Sequence, residues 1–247
     1  MTERNDRQPI LEISGLTKTY RSLTALHEVD VSLDAGEFVG LIGPNGAGKT
    51  TTMRCLAGMI GWDSGAIELN GIKVGRHPVE ARRHLGYVPQ DLEMFDYLTG
   101  EEYLSFVSRV RTDSKSSPTD LDELLELTAL TSARDRLVRE YSGGMRQKLA
   151  VAAALIGSPS LLVLDEAFVG LDPESVHRMK GALRDFCDDG GAVMLSSHNL
   201  EMIQALCSRV LILNDGRIGA DLTHDELEAR FDSGDANSLT DVYLDVT

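Results

Sequence analysis

The sequence predicts an α/β fold: a mostly parallel core sheet with helices, an antiparallel β part, and an inserted helical lobe. Three observations point there. The runs EFVGLIG, SLLVLDE and GAVMLSSH are nearly continuous in apolar residues and close on Gly, Asp or His, as parallel strands covered on both faces do. ILEIS and VDVSL, near the start, alternate instead, which marks strands with one wet face. From about Asp91 to Ser158 no strand pattern appears, and TGEEYLSFVSRV and TDLDELLELTAL read as amphipathic helices.

Taken in order, the two alternating strands are followed by EFVGLIG, a glycine-rich loop and the helical stretch TTMRCLAGMI. GAIELNGIKV is a hairpin, because Asn70-Gly71 suits a tight I′ turn. The helical lobe comes next, with a loop from Ser114 to Pro118. After Ser142 a further helix begins, with Met145, Leu149, Ala152 and Ile156 at helical spacing. Serine is an ordinary N-cap, but Gly143 and Gly144 in a first turn cost about 1 kcal/mol each against alanine. Something must therefore come close to that backbone, and bare N–H groups at a helix start suit an anion. VLILNDGRIGA closes the sheet as a second hairpin. These elements divide the chain into a core of residues 1–90 and 159–222, a helical subdomain of residues 91–158 and an acidic C-terminal tail of residues 223–247. Ligands of open α/β sheets bind at the carboxyl ends of strands, so Gly43, Asp165 and His198 are expected in one crevice.

At 247 residues and 42% hydrophobic, the chain can bury a full core as one domain with subdomains. The opening MTERNDRQPI is polar, and no run reaches the length of a spanning helix, which predicts a soluble chain that is not secreted. Cys55, Cys187 and Cys207 have no metal-ligand spacing and read as buried thiols of a reducing compartment. The net charge of −15 argues against a nucleic-acid backbone as main partner. From Asp221 onward eight carboxylates face Arg230 alone, which reads as a solvated tail. Lysine is scarce beside arginine and Asp exceeds Glu, a balance suited to a salt-rich cytoplasm. The thermal midpoint is therefore expected to rise from dilute buffer into molar KCl, as screening relieves carboxylate repulsion. Melts across KCl concentration check this, and a flat or falling midpoint overturns it.

GPNGAGKTT matches G-x-x-x-x-G-K-[ST] between a strand and a helix. In such a loop, formed by Gly43, Pro44, Asn45, Gly46, Ala47 and Gly48, the glycines let the backbone turn its N–H groups onto a β-phosphate, while Lys49 meets the β and γ oxygens. Thr50 offers a hydroxyl to Mg²⁺, and Thr51 completes the nucleotide-binding stretch. In LLVLDEAF, Asp165 at a strand end holds Mg²⁺, through water. Glu166 beside it can orient the attacking water and take its proton.

Phosphate loop, SGG, LLVLDE and a later His, in that order, resemble the nucleotide-binding subunits of ATP-binding-cassette (ABC) transporters along nearly the whole chain. The resemblance implies an ABC-type P-loop ATPase that binds ATP and Mg²⁺. Two cassettes of that family pack head to tail, each signature facing the γ-phosphate held by the other; Ser142, Gly143 and Gly144 would then close over a partner's nucleotide. Met145 stands where Gln is commoner, and Ala167 where Pro is usual. By the same resemblance Tyr20 stacks on adenine, and Gln90 reaches Mg²⁺ and water while linking to the membrane subunit. Asp172 lies in the dimer-interface loop, although LDP also reads as a plain helix cap with Pro173 following. His198 contacts the γ-phosphate.

The implied protein is an ATPase subunit, peripheral at the inner face of the cell membrane, that powers a separate permease and pairs with a second copy. FVGLDP and the ending SLTDVYLDVT resemble the export branch, and the lack of an appended domain after Thr247 points the same way. A soluble cassette serving a scaffold or cofactor-assembly complex would keep every motif. A DNA-repair or ribosome-acting cassette would need coiled-coil arms or a second cassette, and a basic face.

Overall fold

Period-two alternation puts Leu11 and Ile13 on the inner face of β1 (Leu11–Tyr20), and an irregularity at Gly15 (φ 59°) returns Leu16 to that face; β1 pairs antiparallel with β2 (Leu23–Leu33). β3 (Phe38–Ile42) is buried at every residue and leads through the glycine-rich loop into α1 (Lys49–Leu56). β4 (Ser64–Leu69) and β5 (Ile72–Lys73) form the expected hairpin, with Asn70 at φ 49° and Gly71 at φ 74° as a type I′ turn requires. After α2 (Pro78–Arg83) comes β6 (Leu85–Val88). Neither was foreseen, because so few residues give no periodicity to read. The lobe contains α3 (Gly100–Arg111), α4 (Leu121–Leu127) and α5 (Gly143–Leu155). The chain continues through β7 (Leu161–Asp165), α6 (Pro173–Asp188), β8 (Ala192–Ser196) and α7 (Leu200–Leu206). It ends with β9 (Arg209–Asn214), β10 (Arg217–Thr223), α8 (His224–Ser233) and α9 (Leu239–Val246). This computed structural model describes residues 8–111, 120–234, 236 and 238–247, so the loop expected from Ser114 to Pro118 and most of the polar opening lie outside it.

The strands form two sheets. One is antiparallel, in the order β2-β1-β4-β5; the other runs β10-β9-β3-β8-β7-β6, parallel except for β10 at its edge. Continuous burial of the parallel strands follows from two cores, one on each face. Val39, Leu41, Leu161 and Val163 face the antiparallel sheet and α1, whereas Phe38, Ile42, Leu162 and Leu164 pack with α6 and α7. A third core of Leu104, Leu125, Val138, Leu149 and Ile156 belongs to the lobe. α5 joins the lobe to the sheet: Leu149 and Ala152 lie in the lobe core, while Ala150, Val151 and Ala154 pack with Leu162 and Val88.

One expectation is corrected. Residues 223–247 are not a solvated tail among the described residues, because α8 and α9 bury Leu227, Leu239 and Val242 in the second core. Full burial of such side chains contributes about 1.5–3 kcal/mol each, and Asp225, Glu226, Glu228, Asp232 and Asp245 stay exposed on the outer faces. Apolar residues spaced three and four apart, rather than the acidic ones, set the face these helices bury. The three cysteines are free and buried, and burial pushes the Cys55 and Cys187 thiols up to about 11. Among the described residues no helix is long and apolar enough to cross a membrane.

Candidate active site

Adjacent strands bring the motifs together. β3, β8 and β7 are neighbours in the parallel sheet, and Ser196 stands in register with Leu41 on one side and Asp165 on the other. The carboxyl ends of these strands therefore place the loop after Ile42, the Asp165-Glu166 pair and the residues before His198 at one edge.

The loop is shaped by backbone contacts. A side chain at Gly43 would collide with the Leu213 carbonyl, and one at Gly48 (φ 110°) would lie 2.7 Å from the Ala25 carbonyl, so both positions need glycine. The Ala47 N–H donates to the Pro44 carbonyl at 3.1 Å, and the Gly216 N–H donates to the Ala47 carbonyl at 3.0 Å. Asn45 and Gly46 are exposed, whereas Thr50 and Thr51 are half-buried on α1. No side chain caps the start of that helix, which leaves its N–H groups for an anion.

Lys49 is buried. Its Nζ donates to the Gly43 carbonyl at 2.7 Å and the Pro44 carbonyl at 3.2 Å, so one of its three donors remains for a phosphate oxygen. Burial lowers its pKa, opposed by the charges of Glu166 and Asp165. Asp165 is buried: Oδ1 accepts from the Ser196 hydroxyl at 2.6 Å, while Oδ2 has no partner among the described residues. Glu166 sits at φ 55°, a left-handed conformation that costs about 1–2 kcal/mol outside glycine. Its N–H donates to the Ser196 carbonyl at 3.2 Å and to Ser196 Oγ at 3.1 Å. His198 Nε2 lies 3.2 Å from Glu166 Oε1 without forming a hydrogen bond, with the His198 side chain 58% exposed. Lys49, Asp165, Glu166 and His198 thus form one cluster. Ser196, which ties two of them together, was passed over in the sequence; its only signal was its place two residues before His198.

The other expected residues are placed as follows. Tyr20 ends β1 opposite Leu23, 43% exposed, with Lys18 Nζ 5.1 Å from its ring centroid. Gln90 is exposed just beyond β6. Asp172 caps α6, its two oxygens accepting from the Ser175 N–H at 2.9 Å and the Ser175 hydroxyl at 2.6 Å. Those bonds, the hydroxyl's first, hold its pKa below the usual carboxylate range, so the plain-cap reading of LDP describes what this carboxylate does within its own chain. Ser142 caps α5, accepting from the Met145 N–H at 3.2 Å. Ser142 and Gly143 are exposed, and nothing lies within 4 Å of a Cβ built on Gly143. Gly144 differs: a Cβ there would stand 2.9 Å from the Gly170 carbonyl, so this glycine is needed within its own chain.

This fold and this site are those of an ABC-type P-loop ATPase. The chain belongs to the ABC transporter family, whose model matches residues 26–169. YdbJ of Bacillus subtilis strain 168, an uncharacterized ABC transporter ATP-binding protein, is 36% identical over 217 residues, or 87% of this chain and 70% of that protein. The lipopolysaccharide export system ATP-binding protein LptB of Haemophilus influenzae is 35% identical over 222 residues, 88% of this chain and 92% of that protein. A solved structure titled as the ATP binding subunit of an ABC transporter aligns with TM-score 0.88 at 31% identity, over 96% of this chain and 99% of that one.

The residues fit Mg²⁺ with ATP. Asp165 Oδ2 is a buried acceptor without a partner, and among the described residues no group of three or more His, Cys, Asp or Glu could hold a metal alone. That suits an ion held by one or two protein oxygens together with phosphate and water. Thr50 and Asp165 would hold it.

Proposed function

We propose that this ATPase subunit powers a separate transmembrane permease in the export direction, as a head-to-tail pair of copies that close on Mg²⁺-ATP. Bound Mg²⁺ would neutralise developing charge on the phosphates. This chain's own groups do the rest. The loop N–H groups and Lys49 hold and orient the phosphates, Glu166 takes the proton of the attacking water, and His198 stands beside it at the exposed edge. Ser142 and Gly143 leave an open helix start for the nucleotide of the second copy, Tyr20 stacks on the adenine, and Asp172 lies at the seam between copies. ATP then joins two faces, and its hydrolysis releases them.

The observation that carries the permease half is a cleft of about 380 Å³ between core and lobe, lined by Met59, Val79, Arg82, Tyr87 and Val110. Met59, Val79 and Val110 are 61%, 70% and 70% exposed, and exposed apolar side chains rimmed by Arg82, Arg83 and Arg111 suit a partner. Arg111, at the end of α3, donates to the Leu85 carbonyl of β6 at 2.6 Å, so movement of the lobe bears directly on the cleft wall. Export is supported by the likeness to a lipopolysaccharide export ATPase. In this reading the subunit sits at the cytoplasmic face of the membrane, held there by the permease.

Replacing both Met59 and Val79 by Asp tests the reading. Each side chain is exposed, so hydrolysis by the isolated subunit is expected to be unchanged. Burying an unpaired carboxylate against the permease costs on the order of 3 kcal/mol or more, so co-purification with a membrane protein encoded beside it is expected to be lost. Undiminished complex formation by the double variant would remove the cleft from this role.

A further inference from the structure

We propose that Ser196 is the positioning residue for both site carboxylates: its hydroxyl commits one oxygen of Asp165, leaving the other for the metal, and anchors the turn from which Glu166 projects. The inference rests on reading Asp165 as the carboxylate nearest Mg²⁺.

Hydrogen-bond direction makes the case. An ionised carboxylate only accepts, so at 2.6 Å the Ser196 proton points at Asp165 Oδ1. The lone pairs of Oγ are then free to accept, and the Glu166 N–H reaches them at 3.1 Å. The result is one directed chain, from the Glu166 amide through the Ser196 hydroxyl to Asp165. It fixes the rotation of the Asp165 carboxylate and leaves Oδ2 buried with no partner, the arrangement a cation completes. The same N–H is shared with the Ser196 carbonyl at 3.2 Å, so a single residue holds Glu166 in its left-handed conformation from two sides.

Ser196 is also chemically out of place. Ala192, Val193, Met194 and Leu195, the rest of β8, are apolar and fully buried, and Ser196 is 0% exposed. A hydroxyl there is desolvated, and among the described residues its only side-chain partner is the site aspartate. Ser197, by contrast, spends its hydroxyl on a local turn, accepting from the Asn199 N–H at 3.1 Å.

The test separates nucleotide binding from metal binding. Binding of a fluorescent ATP analogue is measured in EDTA and then titrated with Mg²⁺, with phosphate release measured at saturating ATP. For Ser196→Ala, affinity in EDTA is expected to match the wild type, while the Mg²⁺ concentration for half-effect rises about tenfold, as when a partner of a metal ligand is removed. Turnover falls with it. Ser196→Thr keeps the hydroxyl and is expected to restore both. Ser196→Cys keeps the volume with a weak donor and is expected to behave like the alanine variant, so it serves where alanine does not fold.

Unchanged Mg²⁺ dependence in the alanine and cysteine variants overturns the proposal. So does an equal loss of affinity with and without Mg²⁺, which marks a structural serine, or a threonine variant as defective as alanine. Asp165→Asn distinguishes the levels. If it leaves the Mg²⁺ titration unmoved, the metal reading of Asp165 falls and the proposal with it; if it shifts the titration while Ser196 variants do not, only the proposal falls.

Discussion

Glu166→Gln is expected to keep nucleotide binding and to lose hydrolysis by about 10²-fold or more, the usual contribution of a general base. The amide is nearly the same shape as the carboxylate but cannot accept the water's proton. Geometry favours a clean result, because Glu166 is buried at 7% exposure and its backbone is held by Ser196 rather than by its own side chain. The His198 contact at 3.2 Å is not a hydrogen bond, so the substitution breaks none there. Lys49 loses one of two nearby negative charges and keeps the other in Asp165, so the phosphate loop remains organised. Phosphate release at saturating ATP is the measurement. Turnover near that of the wild type would remove Glu166 from the base role.

Much of this site could be read before any coordinates, for a physical reason. A phosphate loop must leave its backbone bare and turn sharply, which only glycines at fixed spacing achieve, so GPNGAGKT is written locally. The buried strands declared themselves because both faces are covered by separate cores, which makes every residue of β3, β7 and β8 apolar up to the catalytic end. Tertiary partnership was not legible. Nothing near Ser196 in the chain says that its hydroxyl meets Asp165, 31 residues away. β6 is held in place by pairing with β7, which no local pattern records. The acid of residues 223–247 masked the spacing of Leu239 and Val242, because charge is conspicuous in a sequence while the side a helix buries depends on what it packs against. Gly144 carries a similar lesson: what read as room for a ligand is also room for the Gly170 carbonyl of the same chain.

The second large effect concerns where the anion of the signature helix comes from. Lys49→Ala removes the cation of the phosphate loop, and Gly143→Asp sets a carboxylate at the bare start of α5. The latter is expected to fold well, because a Cβ at Gly143 meets nothing within 4 Å and an acidic residue in a first turn is favourable to the helix itself. Its harm falls on an incoming phosphate alone. The cavity onto which Glu166 and His198 open is lined by Val169, Leu171, Lys180, Ser197 and Asn199 and by none of residues 142–144, although Gly144 packs close to Gly170 and Leu171 beside it. Each variant alone is therefore expected to be inactive, since every composite site in its pairs carries the defect. Mixed, the intact loop of one chain meets the intact signature of the other, restoring one site of two, and partial hydrolysis should return. Light scattering supplies the companion measurement, with Glu166→Gln expected to pass from monomer to dimer when ATP is added. If that protein stays monomeric with ATP, and if mixing recovers no hydrolysis, the signature acts within its own chain and the head-to-tail pair is wrong.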